Sequence, residues 1–536
     1  MTRVLLSLGL ILGCSVIWTE RFAYAFDVHI PYVGDVGFDV TESFITRYLD
    51  TNFDFNEEDD GVLTLLNKLN VTVSRNPISA GVRVDTAVFL FDADCKSTAE
   101  QPCFFEDYVN IEKFFLRWNF DFGVVVGGDF YTSFGRGLVL SVRKVDELGL
   151  DTTVRGGRAQ FRFGAFRTEI IGGITNIQNV EQISSRVLDD PHDALLGMEN
   201  IIELGDGVEV GVRGVHMWFD AASLLGHDEM TTVAGGSISI PNLGGSTALY
   251  FESALLRHTD LDTLTNKRST DNGAAIYGSL SGFFGALTTL VEAKHYRRFR
   301  FVTADARLAA AGIFYNNAPT LERFDQTVPN NFDASGGRIR AEYFISDTHT
   351  RFYGNLMTYY FSKNETDPYG DDGAMAIHAY AGLRQDFDGG YSAEISGGWR
   401  QERFTTDSRL LRKLWHLEGE FNIPLHGPHS LNIKAEHRSE VKQGVPDNIS
   451  FVKGLVTTTY AFQPHLRVST LYGYTTEFEF KNPIHHVAGQ FDWDFYRGST
   501  LRMFGGRVPG GIVCAGGTCV NVPPSSSYRA EVALRF

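Results

Sequence analysis

Charged side chains of both signs are concentrated among glycines in residues 132–158 of this 536-residue chain. Residues 300–335 combine charges with Pro319 and Pro329 and are equally irregular. Charged side chains around a narrow passage select ions by sign. Two interpretations stay open for both segments: a segment folded into the interior of a pore, which it narrows, or an external loop held by ordinary ion pairs. The candidate constriction residues are Arg136, Arg143, Lys144, Asp146, Glu147, Asp151, Arg155, Arg158, Glu322 and Arg323.

Catalytic chemistry has weak support in the sequence. His295, His437, His485 and His486 are candidates for acid and base roles, but no Gly-x-Ser-x-Gly nucleophile motif accompanies them. A histidine on a polar strand face is more often a lining residue. Adjacent residues of a strand point to opposite faces, so His485 and His486 do not chelate one metal together. We therefore predict no catalytic residues and no enzymatic activity.

The acidic run Asn56-Glu57-Glu58-Asp59-Asp60-Gly61 invites comparison with a calcium-binding loop. The comparison fails because the first position is Asn and the twelfth is Asn67, where an EF-hand needs a bidentate Glu. The chain also contains no Cys-x-x-Cys-His motif, the attachment site of c-type haem. We predict a solvated turn at the acidic run, and neither a metal site nor a cofactor.

Four of the five cysteines form two close pairs, Cys95 with Cys103 and Cys514 with Cys519. In an oxidising compartment such pairs are most simply disulfides within loops. Neither pair has Cys-x-x-Cys spacing or a neighbouring histidine, as a metal site would require. We predict two local disulfides.

The first 25 residues have the features of a secretory signal peptide. Arg3 precedes an apolar run from Val4 to Trp18, and Ala23-Tyr24-Ala25 is a small-x-small cleavage site. The alternative is a lipoprotein signal in which Cys14 is lipidated, but the apolar run continues beyond Cys14. We expect an exported chain that begins at Phe26.

The charge balance disfavours nucleic acid as a partner. The chain has 48 Lys and Arg against 65 Asp and Glu, a formal net charge of −17. Phosphate binding depends on clustered basic residues. The net sum does not show where within a fold the acids lie.

The elements that must position these residues are strands. Residues 526–536 place Tyr528, Ala530, Val532, Leu534 and Phe536 on one face and charged residues on the other. A period of two in segments of about ten residues, with a C-terminal aromatic residue, is typical of a membrane-barrel strand that faces lipid on one side. Such runs recur along the chain, with short Gly- or Pro-containing turns between many of them.

We count 23 alternating runs, and the run near 37–49 is the least regular. Bacterial single-chain barrels have even strand numbers. We therefore predict an all-β fold, a transmembrane antiparallel β-barrel of about 22 strands within a range of 18–24, that takes up residues 26–536 as a single domain. Longer connections are predicted near 92–106, 177–203, 220–231, 258–272, 363–373 and 508–525.

Four stretches resemble a poorly characterised family of porin-like bacterial outer-membrane β-barrels: YTSFGRGLVLS (131–141), GLDTTVRGG (149–157), LVEAKHYRRF (290–299) and NAPTLER (317–323). The resemblance runs loosely from about residue 60 to the C-terminus. It implies a barrel in the outer membrane with no well-established enzymatic activity. Some porin-like proteins pair with multihaem cytochromes in extracellular electron transfer, which is an analogy at the level of the fold.

The leading hypothesis is a channel in the bacterial outer membrane that passes small hydrophilic solutes, with membrane lipid around it. The alternative is a sheath or scaffold that holds a periplasmic or surface multihaem cytochrome. Conductance of the purified protein separates the two, because an open pore conducts without a partner.

Overall fold

A computed structural model of the protein describes residues 26–536 apart from a set of short gaps. The gaps are 32–33, 52, 54–59, 91–104, 146–148, 182–185, 221–226, 263–264, 305–312, 323–330, 363–372, 445–446, 478–482, 497 and 516–517. The predicted signal peptide, Cys95 and Cys103 lie outside the described residues. So does most of the acidic run that starts at Asn56.

The period-two segments of the sequence form strands, as alternation predicts. In chain order the strands are β1 (Phe26–Ile30), β2 (Gly34–Thr51), β3 (Val62–Arg75), β4 (Ile78–Leu90), β5 (Tyr108–Phe120), β6 (Gly123–Phe130), β7 (Thr132–Phe134), β8 (Leu140–Val142), β9 (Lys144–Val145), β10 (Leu150–Asp151), β11 (Thr153–Phe163), β12 (Phe166–Asn176), β13 (Ala194–Glu203), β14 (Glu209–Phe219), β15 (His227–Leu243), β16 (Thr247–Asp262), β17 (Lys267–Phe284), β18 (Leu287–Arg297), β19 (Ala334–Ile345), β20 (Thr350–Phe361), β21 (Ala374–Asp386), β22 (Ser392–Phe404), β23 (Leu410–Pro424), β24 (His429–Lys442), β25 (Ile449–Phe462), β26 (Leu466–Thr475), β27 (Ile484–Tyr496), β28 (Ser499–Val508), β29 (Gly511–Ala515), β30 (Thr518–Val522) and β31 (Ser525–Arg535). Two single-turn 3-10 helices, Gly205–Gly207 and Asp388–Gly390, lie in turns.

Twenty-four of these strands form one closed antiparallel barrel. They are β2–β6, β11–β28 and β31, and each pairs with its neighbours in chain order. The barrel closes where β2 pairs with β31, with Phe44 opposite Val532. Closure leaves no strand edge in the membrane, where each unpaired backbone group would cost several kcal/mol. The short strand β1 folds back onto the start of β2.

The strand number lies within the predicted range, and two details of the prediction need correction. The irregular run near 37–49 is a full strand, β2, that closes the barrel. A second strand, β13, lies inside the long connection predicted at 177–203. In β13 the inward Leu195 is buried while the outward Leu196 is 57% exposed. Both residues are apolar, so the sequence shows no alternation of polar and apolar residues at this strand.

The two faces of the wall differ in chemistry. On β14, Val212 is 63% exposed and alternates with the buried Arg213 and Val215. Leu255 on β16 is 69% exposed beside the buried Ala254. A large exposed apolar face on a closed barrel is the surface that contacts lipid. The opposite face, which carries Arg213, lines the interior.

The two ends of the barrel also differ. One end has short turns, such as those between β5 and β6 and between β11 and β12. The other end has the long connections, among them residues 131–152, 177–193 and 298–333. Short turns are typical of the periplasmic rim and long loops of the extracellular rim. Among the residues that the structure describes, no helix has the length and apolar character that a helical membrane span requires.

Candidate pore-lining site

Two long connections contain a fully buried apolar core. Phe134, Leu138, Val139 and Leu140 of the connection 131–152 have no exposed surface. Three consecutive apolar residues bury both faces of the local chain, which a strand between lipid and water does not do. Their cluster also includes inward-facing residues of the wall and residues of the connection 298–333: Val215, Met217, Val233, Ala254, Phe299, Phe301 and Tyr315. These contacts lie on the interior face of β14–β16.

Backbone hydrogen bonds join the two connections to each other. The Asn317 N–H donates to the Gly137 carbonyl at 2.8 Å, and the Ser141 N–H donates to the Tyr315 carbonyl at 2.8 Å. Within the second connection, the Tyr315 N–H donates to the Phe301 carbonyl at 3.0 Å. Buried backbone groups need such partners because an unpaired group away from water is costly. The two connections therefore pack as one body.

Gly135 fits against a buried ion cluster of the wall. Arg213 of β14 pairs with Glu252 of β16 at 2.7 Å and with Glu199 of β13 at 3.0 Å. The Gly135 N–H donates to Glu199 Oε1 at 2.9 Å. The backbone of Gly135 has φ +59°, and a Cβ there would lie 1.9 Å from Arg213 Nη1. Only glycine satisfies both the left-handed backbone and this close approach.

Arg136, a predicted constriction residue, follows directly and is exposed. Its guanidinium carbon lies 3.9 Å from the centre of the Tyr250 ring, a cation–π contact. Its Nη1 donates to Ser279 Oγ at 3.1 Å, and its backbone N–H donates to Glu252 Oε2 at 3.2 Å. Arg136 is therefore held against the interior faces of β16 and β17.

Asp151, another predicted constriction residue, is buried in a second ion cluster. Its carboxylate pairs with Arg83 of β4 at 3.0 Å, contacts Lys113 of β5, and accepts a hydrogen bond from the Tyr131 hydroxyl at 2.6 Å. Burial by itself would raise the pKa of Asp151, but Lys113, Tyr131 and Arg83 outweigh it and lower the pKa below its ordinary value. Asp151 is therefore ionised and ties its connection to β4 and β5.

The remaining predicted constriction residues are spread over several places. Lys144 lies opposite Asp151 in the short β9–β10 hairpin, and the Arg143 carbonyl accepts the Thr152 N–H at 3.4 Å. Arg155 and Arg158 belong to barrel strand β11 rather than to the connection. The described structure does not include three predicted residues: Asp146, Glu147 and Arg323.

Arg155 and Arg158 lie on opposite faces of β11. Arg158 pairs with Glu169 at 3.0 Å and donates to the Tyr131 carbonyl at 3.0 Å, on the interior face. Arg155 pairs with Asp129 at 3.2 Å. Asp129 lies one residue beyond Gly128, the last residue of β6 that pairs with β5. The three-residue spacing accounts for the difference, since side chains alternate along a strand.

Glu322 anchors the connection 298–333 to a buried polar row that the sequence analysis missed. Its carboxylate pairs with Arg400 of β22 at 2.9 Å and lies 3.0 Å from His378 Nδ1 on β21. The His378 Nε2 lies 3.1 Å from the Nε2 of His416 on β23. The His416 Nδ1 lies 3.0 Å from Glu418 Oε1. These residues are far apart in sequence, so no local motif could have indicated them.

A buried carboxyl group joins two connections near the long-loop end. Asp193, just before β13, accepts a hydrogen bond from the Tyr315 hydroxyl at 2.5 Å and one from the Asp220 N–H at 3.1 Å. Burial raises the pKa of Asp193 to about 6, and these hydrogen bonds oppose the shift only in part. Asp193 thus titrates well above an ordinary aspartate.

The remaining candidate site residues are metal-ligating side chains and cysteines. Within the described ranges, no group of three or more His, Cys, Asp or Glu side chains is placed to hold a metal ion. The backbone of the β29–β30 hairpin pairs Cys514 directly with Cys519. That register is compatible with the predicted disulfide, which stays a prediction.

A closed 24-stranded barrel with an apolar exterior and a charged interior defines a large protein of the bacterial outer membrane. No family model matches the chain, and no curated protein matches it. Among solved structures, the siderophore receptor PirA from Pseudomonas aeruginosa is similar with a TM-score of 0.50 and 8% identity, over 93% of this chain and 80% of that one. This likeness supports the barrel fold.

Two further structures have lower similarity. The copper transporter OprC matches with a TM-score of 0.47 and 11% identity, over 96% of this chain and 82% of that one. The P pilus usher PapC matches with a TM-score of 0.37 and 11% identity, over 93% of this chain and 99% of that one. The outer-membrane barrel that the sequence resemblance implied is confirmed by the fold.

Proposed function

We propose that the protein is a non-enzymatic outer-membrane channel that passes small hydrophilic solutes. The observation that supports the proposal is the difference between two sides of the barrel interior: one is covered by packed apolar segments and the other carries exposed charged side chains. Along β14–β16 the connections 131–152 and 298–333 bury apolar side chains against the wall. Along β24–β31 the interior face carries charged side chains that stay partly exposed, such as Lys434 and Arg502. A water-filled passage between the two sides accounts for both.

The size of the barrel supports this reading. Eight strands already enclose a space that side chains fill, and barrels of 16 or more strands hold a channel or a plug. The two connections occupy part of the space enclosed by 24 strands. They set the width of the passage, with Arg136, Arg143, Lys144, Asp151 and Glu322 as the charged groups that belong to the narrowing segments.

The interior contacts favour a channel over a sheath for a cytochrome. A partner held inside the barrel would have to displace segments that are anchored by buried ion clusters around Arg213, Asp151 and Glu322. Removing one partner of a buried ion pair costs about 3–5 kcal/mol. Solutes smaller than a protein pass without that cost.

Conductance and solute uptake test the proposal. The full-length protein is purified in detergent, shown to be folded by its heat-dependent shift on a gel, and inserted into planar bilayers and liposomes. We expect single-channel conductance without any partner, and liposome swelling that declines as the test sugar becomes larger. Folded protein that neither conducts nor admits the smallest sugar would contradict the channel.

A further inference from the structure

The charged pairs on the interior face of β24–β31 share an asymmetry. The basic side chain is exposed and its acidic partner lies beneath it. Lys434 is 54% exposed and Glu436 23%, Arg502 is 48% exposed and Asp492 11%, and Lys442 is 43% exposed while Glu440 is 4% exposed.

Two further pairs show the same order. Lys453 is more exposed than Glu477, and Arg529 is more exposed than Glu531. A pair that departs from the order is Arg438 with Glu436, where the two are exposed about equally. The physical reason lies in side-chain length, because Lys and Arg extend their charged ends past the shorter Asp and Glu.

These basic residues all belong to the interior face. Arg438 lies opposite His416 of the buried polar row, and Lys434 and Lys442 share the face of Arg438 because they are an even number of residues away. Lys453 lies opposite Arg438 on β25. The outward neighbours Met503 and Tyr528 are exposed apolar residues, which places Arg502 and Arg529 inside.

The exposed cations are distributed over the height of the barrel. Arg502 is three residues from Ser499 at the short-turn end of β28, while Lys442 is thirteen residues from His429 at the same end of β24. Ten residues of strand at about 3.3 Å each, tilted by about 40°, span about 25 Å along the axis. That is about the height of the apolar band of an outer-membrane barrel.

Resting on the proposed channel function, we propose that this cationic ladder, formed by Lys434, Lys442, Lys453, Arg502 and Arg529, is an anion path and that the transported solutes are small hydrophilic anions. Pores for anions are lined by Arg and Lys. The ladder spreads five cations over about 25 Å along the axis, and Lys442 and Lys453 on neighbouring strands both contact Glu477. An anion therefore meets positive side chains at several heights of the passage. The net charge of −17 belongs to the whole chain and does not describe this surface.

Ion selectivity in planar bilayers tests the proposal. With a potassium chloride gradient across the membrane, the reversal potential gives the permeability ratio of chloride to potassium. We expect a ratio of about three or more for the wild-type channel, because the exposed charge of the ladder is positive. Wild-type channels that conduct with a ratio at or below one would overturn the anion path and leave the channel itself standing. Folded protein without any conductance would overturn both.

Charge substitutions locate the selectivity. The double variant Lys434→Glu/Arg502→Glu is expected to lower the ratio at least about threefold, and the milder pair Lys434→Gln/Arg502→Gln to lower it less, in case the reversed charges disturb folding. The matched control is Arg409→Glu, since Arg409 is similarly exposed but lies in the turn between β22 and β23. An unchanged ratio in both double variants, or an equal change in the control, would overturn the assignment to the ladder.

Discussion

Replacement of Gly135 by Ala tests how the connection 131–152 is held inside the barrel. An alanine at φ +59° costs about 1–2 kcal/mol because its Cβ meets the following carbonyl in the left-handed conformation. The new methyl group would also lie 1.9 Å from Arg213 Nη1 and 2.4 Å from Glu252 Oε1. Forcing these buried groups apart adds about 1–3 kcal/mol. The docked segment should therefore lose about 2–5 kcal/mol.

A matched control separates the contact from the backbone. Gly164 has φ +58°, and a Cβ there would meet nothing within 4 Å. Gly164→Ala should cost only the backbone term of about 1–2 kcal/mol, in a turn far from the segment. The control therefore has the same left-handed alanine but leaves the docked segment and the Arg213 cluster unchanged.

The assay is cleavage by trypsin after Arg143 in folded detergent-solubilised protein, with conductance measured in parallel. Every 1.4 kcal/mol changes a population tenfold, so a loss of about 2–5 kcal/mol in the docked segment should raise cleavage in Gly135→Ala by about 30-fold or more over Gly164→Ala. Conductance should rise as the segment leaves the passage. Equal cleavage and equal conductance in the two variants would show that Gly135 does not hold the segment against the Arg213 cluster.

Three other predictions follow from single contacts. Because the pKa of Asp193 is raised to about 6 from about 3.8, the folded state holds a proton that the unfolded chain releases. The contribution of Asp193 to the stability of the folded barrel should therefore be greatest below pH 4 and fall by at most about 3 kcal/mol as the pH rises to about 6. The midpoint temperature of heat modification should fall between pH 4 and pH 6, and Asp193→Asn should abolish this fall. Glu322→Gln leaves the buried Arg400 with Glu402 as its carboxylate partner and removes the carboxylate beside His378, so it should destabilise the barrel by up to about 3 kcal/mol and lower the same midpoint at neutral pH. Non-reducing tryptic peptide mapping should find Cys514 and Cys519 joined within the single peptide 508–529, and free thiols at both positions would contradict the predicted disulfide.

Most of the wall could be predicted from the sequence because lipid imposes a strict rule on every second side chain. The runs identified by alternation correspond to 23 of the 24 barrel strands, including β2. The exception is β13, whose inward face is apolar at Leu195 and polar only farther along, at Glu199 and Glu203. Its Leu195 packs in the apolar core with Leu138, so an apolar residue stands where a polar one was expected. The alternation of polar and apolar residues failed where a packed segment, and not water, covers the inward face of the strand.

The contents of the interior were less predictable. Unusual charge in residues 132–158 indicated a candidate lumen segment, but residues 153–158 belong to barrel strand β11, whose apolar and charged residues follow without a break. The wall partners of the segment, Arg213 for Gly135 and Lys113 for Asp151, lie 78 and 38 residues away in sequence. Contacts between residues so far apart in sequence depend on the shape of the closed barrel, and a local sequence pattern does not predict them.

The failure of alternation at β13 is itself informative about function. A strand that faces water inside the barrel must carry polar inward residues, as β24 does with Lys434, Glu436 and Arg438. A strand that faces a packed segment can carry Val215 and Met217 inward instead, as β14 does. The polarity of the inward residues of each strand therefore indicates which strands face packed protein segments and which strands face water. The proposed aqueous path lies along β24–β31 by that criterion, and selectivity should respond to substitutions there more strongly than to changes along β14–β16.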